Sequence, residues 1–247
     1  MISIEKILVL AITYPDYSKR KKYYTLCIAG INEDFELFRI FPIPLHYYIK
    51  NTDILKKYNW INCKLLESGD YRNESYKVDC RSICSQNLKN FNLFSKVNEN
   101  YCTLEDLENI KADNFSLGFI KPIITGISLS STKARMKKKR FLSNQLTLFS
   151  GNLGENYIPY LIRFEFRCES SDNCTGHNII CEDIFFWKII KKSLDNGYPL
   201  NEIEENLKTN YLNSLIGRKD IIFFVGTHVK YKTWLIISII YPDYFLS

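Results

Sequence analysis

Four soft donors stand close together near the middle of the C-terminal half: Cys168, Cys174, His177 and Cys181, spaced Cys-x5-Cys-x2-His-x3-Cys. Thiolate sulfur and neutral imidazole nitrogen suit Zn2+, which takes four such ligands tetrahedrally when its role is structural. Asp172, Asn173, Thr175 and Gly176 lie between them, residue types that let a chain fold back around an ion. Cys181 follows Ile179 and Ile180 and also reads as a small apolar core residue. In that case His228, in Gly226-Thr227-His228, supplies the fourth ligand. The spacing thus predicts structural Zn2+ on Cys168, Cys174 and His177, with Cys181 or His228 completing the set. Cys80, Cys84 and Cys102 have no neighbouring histidine and read as unpaired core thiols.

A second group is Asp70, Arg72 and Glu74. On an extended chain these alternate positions point to one face. Two carboxylates flanking a guanidinium can hold a divalent ion or orient a base, so they are the catalytic candidates. On a strand they read equally as a solvated ladder of opposite charges. Arg39, in Phe38-Arg39-Ile40-Phe41, can stack on a base or grip a phosphate. There is no phosphate-binding Gly loop of either common type and no Gly-x-Ser-x-Gly elbow, and the chain has 3 His. Nucleotide-loop enzymes and serine hydrolases are disfavoured on those grounds.

The charge is unevenly placed. Of 33 Lys and Arg, six fall in one acid-free run: Lys133, Arg135, Lys137, Lys138, Lys139 and Arg140. Without them the chain balances at 27 cations against 27 acids, so the net +6 is local. A local excess points to contact with the phosphate backbone of DNA or RNA more than a generally basic protein would. A smaller cluster, Lys19-Arg20-Lys21-Lys22, adds to it.

Just after the basic run comes Gln145-Leu146-Thr147-Leu148-Phe149. It resembles the Gln-Leu-x-Leu-Phe pentapeptide by which bacterial replication and repair proteins bind the sliding clamp. Thr147 stands where Ser or Asp is usual. The resemblance implies that Gln145 hydrogen-bonds at the rim of the clamp's pocket. It also implies that Leu148 and Phe149 fill the groove, with Leu146 supporting them. It covers five residues and carries no implication for the fold.

These groups must be positioned by a chain of 247 residues, 46% apolar and 15% aromatic, long enough to bury a full core without disulfides. Apolar, β-favouring stretches at 6–13, 23–31, 35–41, 60–66 and 117–129 predict strands, with a bend at Pro122. Thr103 with Asp106 reads as a capping-box variant opening a short helix to about Lys111. Residues 160–167 alternate as a half-buried strand. A helix is expected from about Glu182 to Leu194, a second from Pro199 to Ile216, and two closing strands at 220–226 and 232–241. The fold class expected is α+β. A β-rich barrel or open sheet spans 1–130, a basic linker 131–157, and a smaller α+β part with the metal loop 158–247. No repeat is visible beyond Tyr14-Pro15-Asp16-Tyr17, echoed at Tyr241-Pro242-Asp243-Tyr244.

No apolar run reaches the 18 residues of a membrane span, and no secretion signal is legible at the N-terminus. A cytoplasmic protein with reduced thiols is expected. The first functional reading is a nucleic-acid-associated protein with a structural zinc site and a clamp tether. The alternatives are a metal-dependent hydrolase or nuclease acting through Asp70, Glu74 and residues near His177, and a non-catalytic module of a larger complex.

Overall fold

The computed structural model describes residues 3–68, 70–86, 91–131, 133–144, 146–147, 151–169, 171, 173–228 and 232–241. The first sheet is built from β1 (Ser3–Ile12), β2 (Asp16–Ser18), β3 (Tyr23–Ile31), β4 (Leu37–Pro44), β5 (Trp60–Glu67), β6 (Ser75–Val78) and β7 (Cys84–Gln86). Its order is β1-β3-β4-β6-β5-β7, and β1 pairs β5 from Ser3↔Leu65 to Leu8↔Trp60, which closes a five-stranded barrel. The pairings are antiparallel except β4 with β6. The short helix α1 (Leu45–Lys50) lies between the third and fourth barrel strands, and α2 (Leu93–Asn98) and α3 (Leu104–Ile110) follow the barrel. Thr103 and Asp106 make the expected reciprocal cap at the start of α3.

The second sheet runs β8 (Leu117–Ile120), β14 (Ile222–Thr227), β15 (Trp234–Ile240), β13 (His177–Cys181), β12 (Tyr160–Cys168) and β9 (Pro122–Ser131). Only Lys121 separates β8 from β9, so one bent strand forms both edges and the sheet also closes. Counted along the chain, both barrels have the same wiring: strand one beside two and four, three beside five, and the three–five pairing parallel. In the second barrel the helical layer after strand three is larger. It comprises α5 (Ile184–Asp195), α6 (Leu200–Leu207), a π turn at Lys208–Leu212 and α7 (Asn213–Leu215). Asp183 caps α5 by accepting from the Phe185 N–H.

The expected domain limits differ from this arrangement. β9 pairs with β12 along its whole length, from Tyr160↔Ser131 to Cys168↔Pro122. Residues 117–130 therefore belong to the second barrel. The stretch read as a linker connects that barrel's first and second strands, and it carries α4 (Lys133–Ser143) and a two-residue ladder of β10 (Leu146–Thr147) with β11 (Gly151–Asn152). Lys, Arg, Met and Leu are good helix formers, so the basic run winds into a helix where a linker was expected.

Three apolar runs show no period-2 alternation because both of their faces are buried. In β1, Ile7, Val9 and Ile12 join one core, while Leu8, Leu10 and Ala11 join another. Phe223 and Val225 alternate with Ile222 and Phe224 in the same way, as do Trp234 and Ile236 with Leu235 and Ile237. The second core is the seam between the barrels, where Leu8, Leu10 and Ala29 of the first pack with Phe119, Phe224 and Leu235 of the second. Among the described residues, no helix is long and apolar enough to cross a membrane.

Candidate nucleic-acid interface and metal centre

The expected catalytic triplet lies in the turn before β6 and is not extended. Asp70 accepts from the Arg72 backbone N–H at 3.3 Å and the Ser75 hydroxyl at 3.1 Å, local bonds that hold a turn in place of a ladder. Arg72 is 5% exposed and forks onto Asp70, with Nε donating to Oδ1 at 3.1 Å and to Oδ2 at 3.0 Å. Its Nη1 donates across the seam to the Thr227 carbonyl at 2.8 Å. Glu74 also reaches across, its Oε1 accepting from both the N–H and the hydroxyl of Ser116 at 2.6 Å. Burial alone would raise the Asp70 carboxyl, but hydrogen bonds and charge from Arg72 outweigh it and hold the group below the usual carboxylate range.

Arg39 completes this bolt and is not a surface phosphate grip. It is 5% exposed, and its Nη2 donates to the Ser116 carbonyl at 2.9 Å and hydroxyl at 3.0 Å. Gly226 makes room for it, because a Cβ there would stand 3.0 Å from that nitrogen. Arg39, Arg72 and Glu74 thus tie the first barrel to Ser116 and Thr227, while Asp70 holds Arg72 in place.

Three cavities share walls in series, the first lined by the first barrel alone and the next two by both barrels. The first, about 290 Å³, is bordered by Arg20, Lys21, Phe41 and Lys77. The second, also about 290 Å³, is bordered by Phe41, Tyr17, Arg39, Tyr14 and His228. The third, about 390 Å³, lies between Tyr14, His228, Arg135, Lys138 and Trp187. Phe41 is 40% exposed and stands between the first two. Arg39 Nε and the Tyr14 hydroxyl have no hydrogen-bond partner among the described residues. Burial, then the neighbouring Cys181 and Glu182, raise the Tyr14 hydroxyl well above its ordinary value. Burial also pushes the Glu182 carboxyl up to about 7 against the pull of Arg135.

The two basic clusters occupy matching places. Lys19–Lys22 lies in the connection between strands one and two of the first barrel, and α4 lies in that of the second. The two connections touch: Lys138 Nζ is 2.9 Å from Asp16 and 4.9 Å from the Tyr157 ring centroid. Lys133, Lys137, Lys138 and Arg140 are exposed. Arg135 is partly buried and donates to the Tyr160 carbonyl at 3.0 Å. Lys139 is also partly buried, which lowers its pKa, as does the nearby Lys191. Of the clamp-like pentapeptide, Gln145, Leu148 and Phe149 lie outside the described residues.

On the far side of the second barrel, Cys168, Cys174 and His177 converge at the β12–β13 turn. His177 Nε2 is 3.5 Å from the Cys168 sulfur and 3.2 Å from that of Cys174. The imidazole packs on Phe166, ring centroids 5.2 Å apart. Cys181 is not part of the group. It pairs with Ile162 whereas His177 pairs with Phe166, four residues along the strand and so roughly 13 Å away. It is a buried core thiol raised well above its ordinary value by burial. His228 borders the second and third cavities and is also outside the group. Glu105, in the first turn of α3, brings Oε1 to 3.5 Å from His177 Nε2.

Phe41 and Glu105 escaped the sequence reading. Phe41 had a local signal, lying two positions from Arg39 and hence on the same strand face. Glu105 had none, since α3 is far upstream of the metal loop.

A family model described as Domain of unknown function (DUF8758) matches residues 3–99, and another, Domain of unknown function (DUF8757), matches residues 97–246. No curated protein matches the sequence. Among solved structures, the chain is similar to a murine DNA binding protein bound with double-stranded DNA, at 7% identity over 97% of each chain with a TM-score of 0.37. It is similar to a chain of a Replication Protein A heterotrimer bound to single-stranded DNA, at 10% identity over 91% of this chain and 44% of that one, TM-score 0.42. It is similar too to the HINa domain of Ifi202 in complex with double-stranded DNA, at 10% identity over 73% and 75%, TM-score 0.32.

Proposed function

Given that the chain belongs to the family described as Domain of unknown function (DUF8757), we propose that it binds single-stranded DNA or RNA along the trough between its barrels, through the phosphate backbone and without reading sequence. The observation that carries this reading is the placement of two basic connections along that trough, Arg20 and Lys21 on its first cavity and Arg135 and Lys138 on its third, with Lys138 and Asp16 joining the two connections. Five-stranded barrels of OB type take oligonucleotides on the face of their second and third strands and on the loop joining the first to the second. Both basic clusters sit on such a loop. Phe41, on the third strand, supplies an exposed ring of the kind on which unstacked bases lie. A duplex hides those base faces, so the reading favours single strands.

Anisotropy titrations with a labelled oligonucleotide test it. The single strand should bind more tightly than the same sequence as a duplex. Phe41→Ala should weaken single-strand binding about tenfold or more, because one stacked base contributes roughly 1–3 kcal/mol. Tighter duplex binding, or an unchanged Phe41→Ala variant, would overturn the reading.

The same proposal includes structural Zn2+ on Cys168, Cys174 and His177, supported by the donor types and their convergence. It also includes the tether. Gln145–Phe149 binds the bacterial sliding clamp, a claim supported by the sequence match alone. Micromolar binding, about −8 kcal/mol, is the expected scale. Changing Leu148 and Phe149 together to Ala should abolish it at unchanged melting temperature. A large fall in melting temperature would show those side chains to be core and end the tether reading.

A further inference from the structure

We propose that Tyr71 and Lys232 form a second platform for the strand, where one base stacks on the Tyr71 ring and Lys232 meets a neighbouring phosphate. This rests on the single-strand reading above. It adds a contact made by the connections between the fourth and fifth strands of both barrels.

In the first barrel that connection, between β5 and β6, carries Asp70, Tyr71 and Arg72. In the second, between β14 and β15, it carries His228, Lys232 and Thr233. The two touch. Lys232 Nζ stands 5.1 Å from the Tyr71 ring centroid, and Arg72 Nη1 donates to the Thr227 carbonyl at the root of the second connection. The barrels thus meet through like connections twice, here and at Lys138 and Asp16. Each of the three cavities is bordered by this second pair of connections as well. Asp70 lies on the first, Arg72 and His228 on the second, and His228 and Thr233 on the third.

Tyr71 is placed for a base. It lies between Asp70 on the first cavity and Arg72 on the second, its Cα about 3.8 Å from each of theirs. Phe41 borders the same two cavities, and both residues stay open to solvent, Phe41 at 40% exposure and Tyr71 at 43%. Bases stack on such rings whatever their identity, which suits a strand held without reading sequence. Lys232 is exposed, so a nucleotide laid on the open part of the ring would set its phosphate beside that ammonium. The segment after α3 braces both connections: the Asn73 side-chain amide donates to the Asp113 carbonyl at 2.9 Å, and Lys111 Nζ donates to the Lys232 carbonyl at 3.1 Å. Lys111 also pairs with Glu108, so its charge is already offset and Lys232 is left to meet phosphate. Braced groups lose little freedom on binding, which favours affinity.

The test uses the full chain with dT and rU oligonucleotides of equal length. Anisotropy reads affinity, and photo-cross-linking of iodouracil-substituted strands reads contacts. On whichever backbone binds more tightly, Tyr71→Ala should weaken binding about fivefold or more. Tyr71→Phe keeps the ring and should stay within about twofold of wild type. Lys232→Gln should flatten the dependence of log affinity on log salt by about 0.7. Cross-links should map to Tyr71. Tyr71→Ala combined with Phe41→Ala should show the product of the two losses, as for two separately stacked bases. Both side chains are exposed, so the melting temperature should hold. If wild type binds no single strand, the reading above fails and takes this inference with it. If Phe41→Ala weakens binding while Tyr71→Ala and Lys232→Gln keep wild-type affinity and salt slope, only this inference is overturned. Equal losses in Tyr71→Ala and Tyr71→Phe would show that the ring stacks no base.

Discussion

A variant with Lys133, Lys137, Lys138 and Arg140 all changed to Gln should bind single-stranded nucleic acid roughly 10²–10³-fold more weakly than wild type at about 0.1 M salt. Each phosphate neutralised on a single strand contributes a slope of about −0.7 to the dependence of log affinity on log salt. Removing four such charges flattens the slope by about 2.8, which is also the deficit in decades extrapolated from 0.1 M to 1 M. Gln is chosen because it sustains a helix nearly as well as Lys, so α4 should persist. These four side chains are the exposed members of the run. Arg135 and Lys139 are partly buried and should matter less. An unchanged salt slope would remove α4 from the interface. Weaker binding with the slope intact would point to an interaction other than phosphate neutralisation.

Arg72→Met should lower stability by about 3–5 kcal/mol, the usual penalty for taking one partner from a buried ion pair. Both partners are sheltered, at 4% and 11% side-chain exposure for Arg72 and Asp70. The change also strips the Thr227 carbonyl of its donor from the first barrel. For a chain of this size the melting temperature should fall by roughly 10 °C. The pH dependence has a definite sign. Asp70 is held below the ordinary carboxylate value, so the folded state binds fewer protons than the unfolded one around pH 4. Its contribution is fully present above the unfolded value of about 3.9 and fades as the pH falls through the lower folded value. The gap between wild type and Arg72→Met should therefore narrow in acid. A drop of under 2 °C at neutral pH would show that the barrels do not depend on this bolt.

Much of the local structure was legible in the sequence. Tyr23–Ile31 is a strand with the expected ends, and Thr103 and Asp106 cap α3. The convergence of Cys168, Cys174 and His177 was legible because one short stretch of chain carries them. Partners distant along the chain were not. Leu117–Ser131 reads as the tail of the preceding strands because nothing local says that it pairs with β12 and β14. Cys181 shares a loop's neighbourhood in sequence, but the extended geometry of β13 carries it away from His177. Asp70, Arg72 and Glu74 look like an exposed ladder, since period-2 spacing cannot reveal a turn or a second barrel behind it. The basic run was sound as charge and misjudged as shape, because helix propensity in an all-basic stretch is masked by its polarity.

The two family models meet at residues 97–99, yet the apolar seam does not divide there. Leu8, Leu10 and Ala29 are sealed by Phe119, Phe224 and Leu235, and each set would face water without the other. The boundary between the two family models and the boundary of the packed core thus do not coincide in this chain. A lineage that kept either half alone would inherit a barrel with an open greasy flank and a buried arginine suddenly exposed. Either half could be traded between proteins only together with a replacement wall. Recombination that respects the sequence boundary would still break the solid.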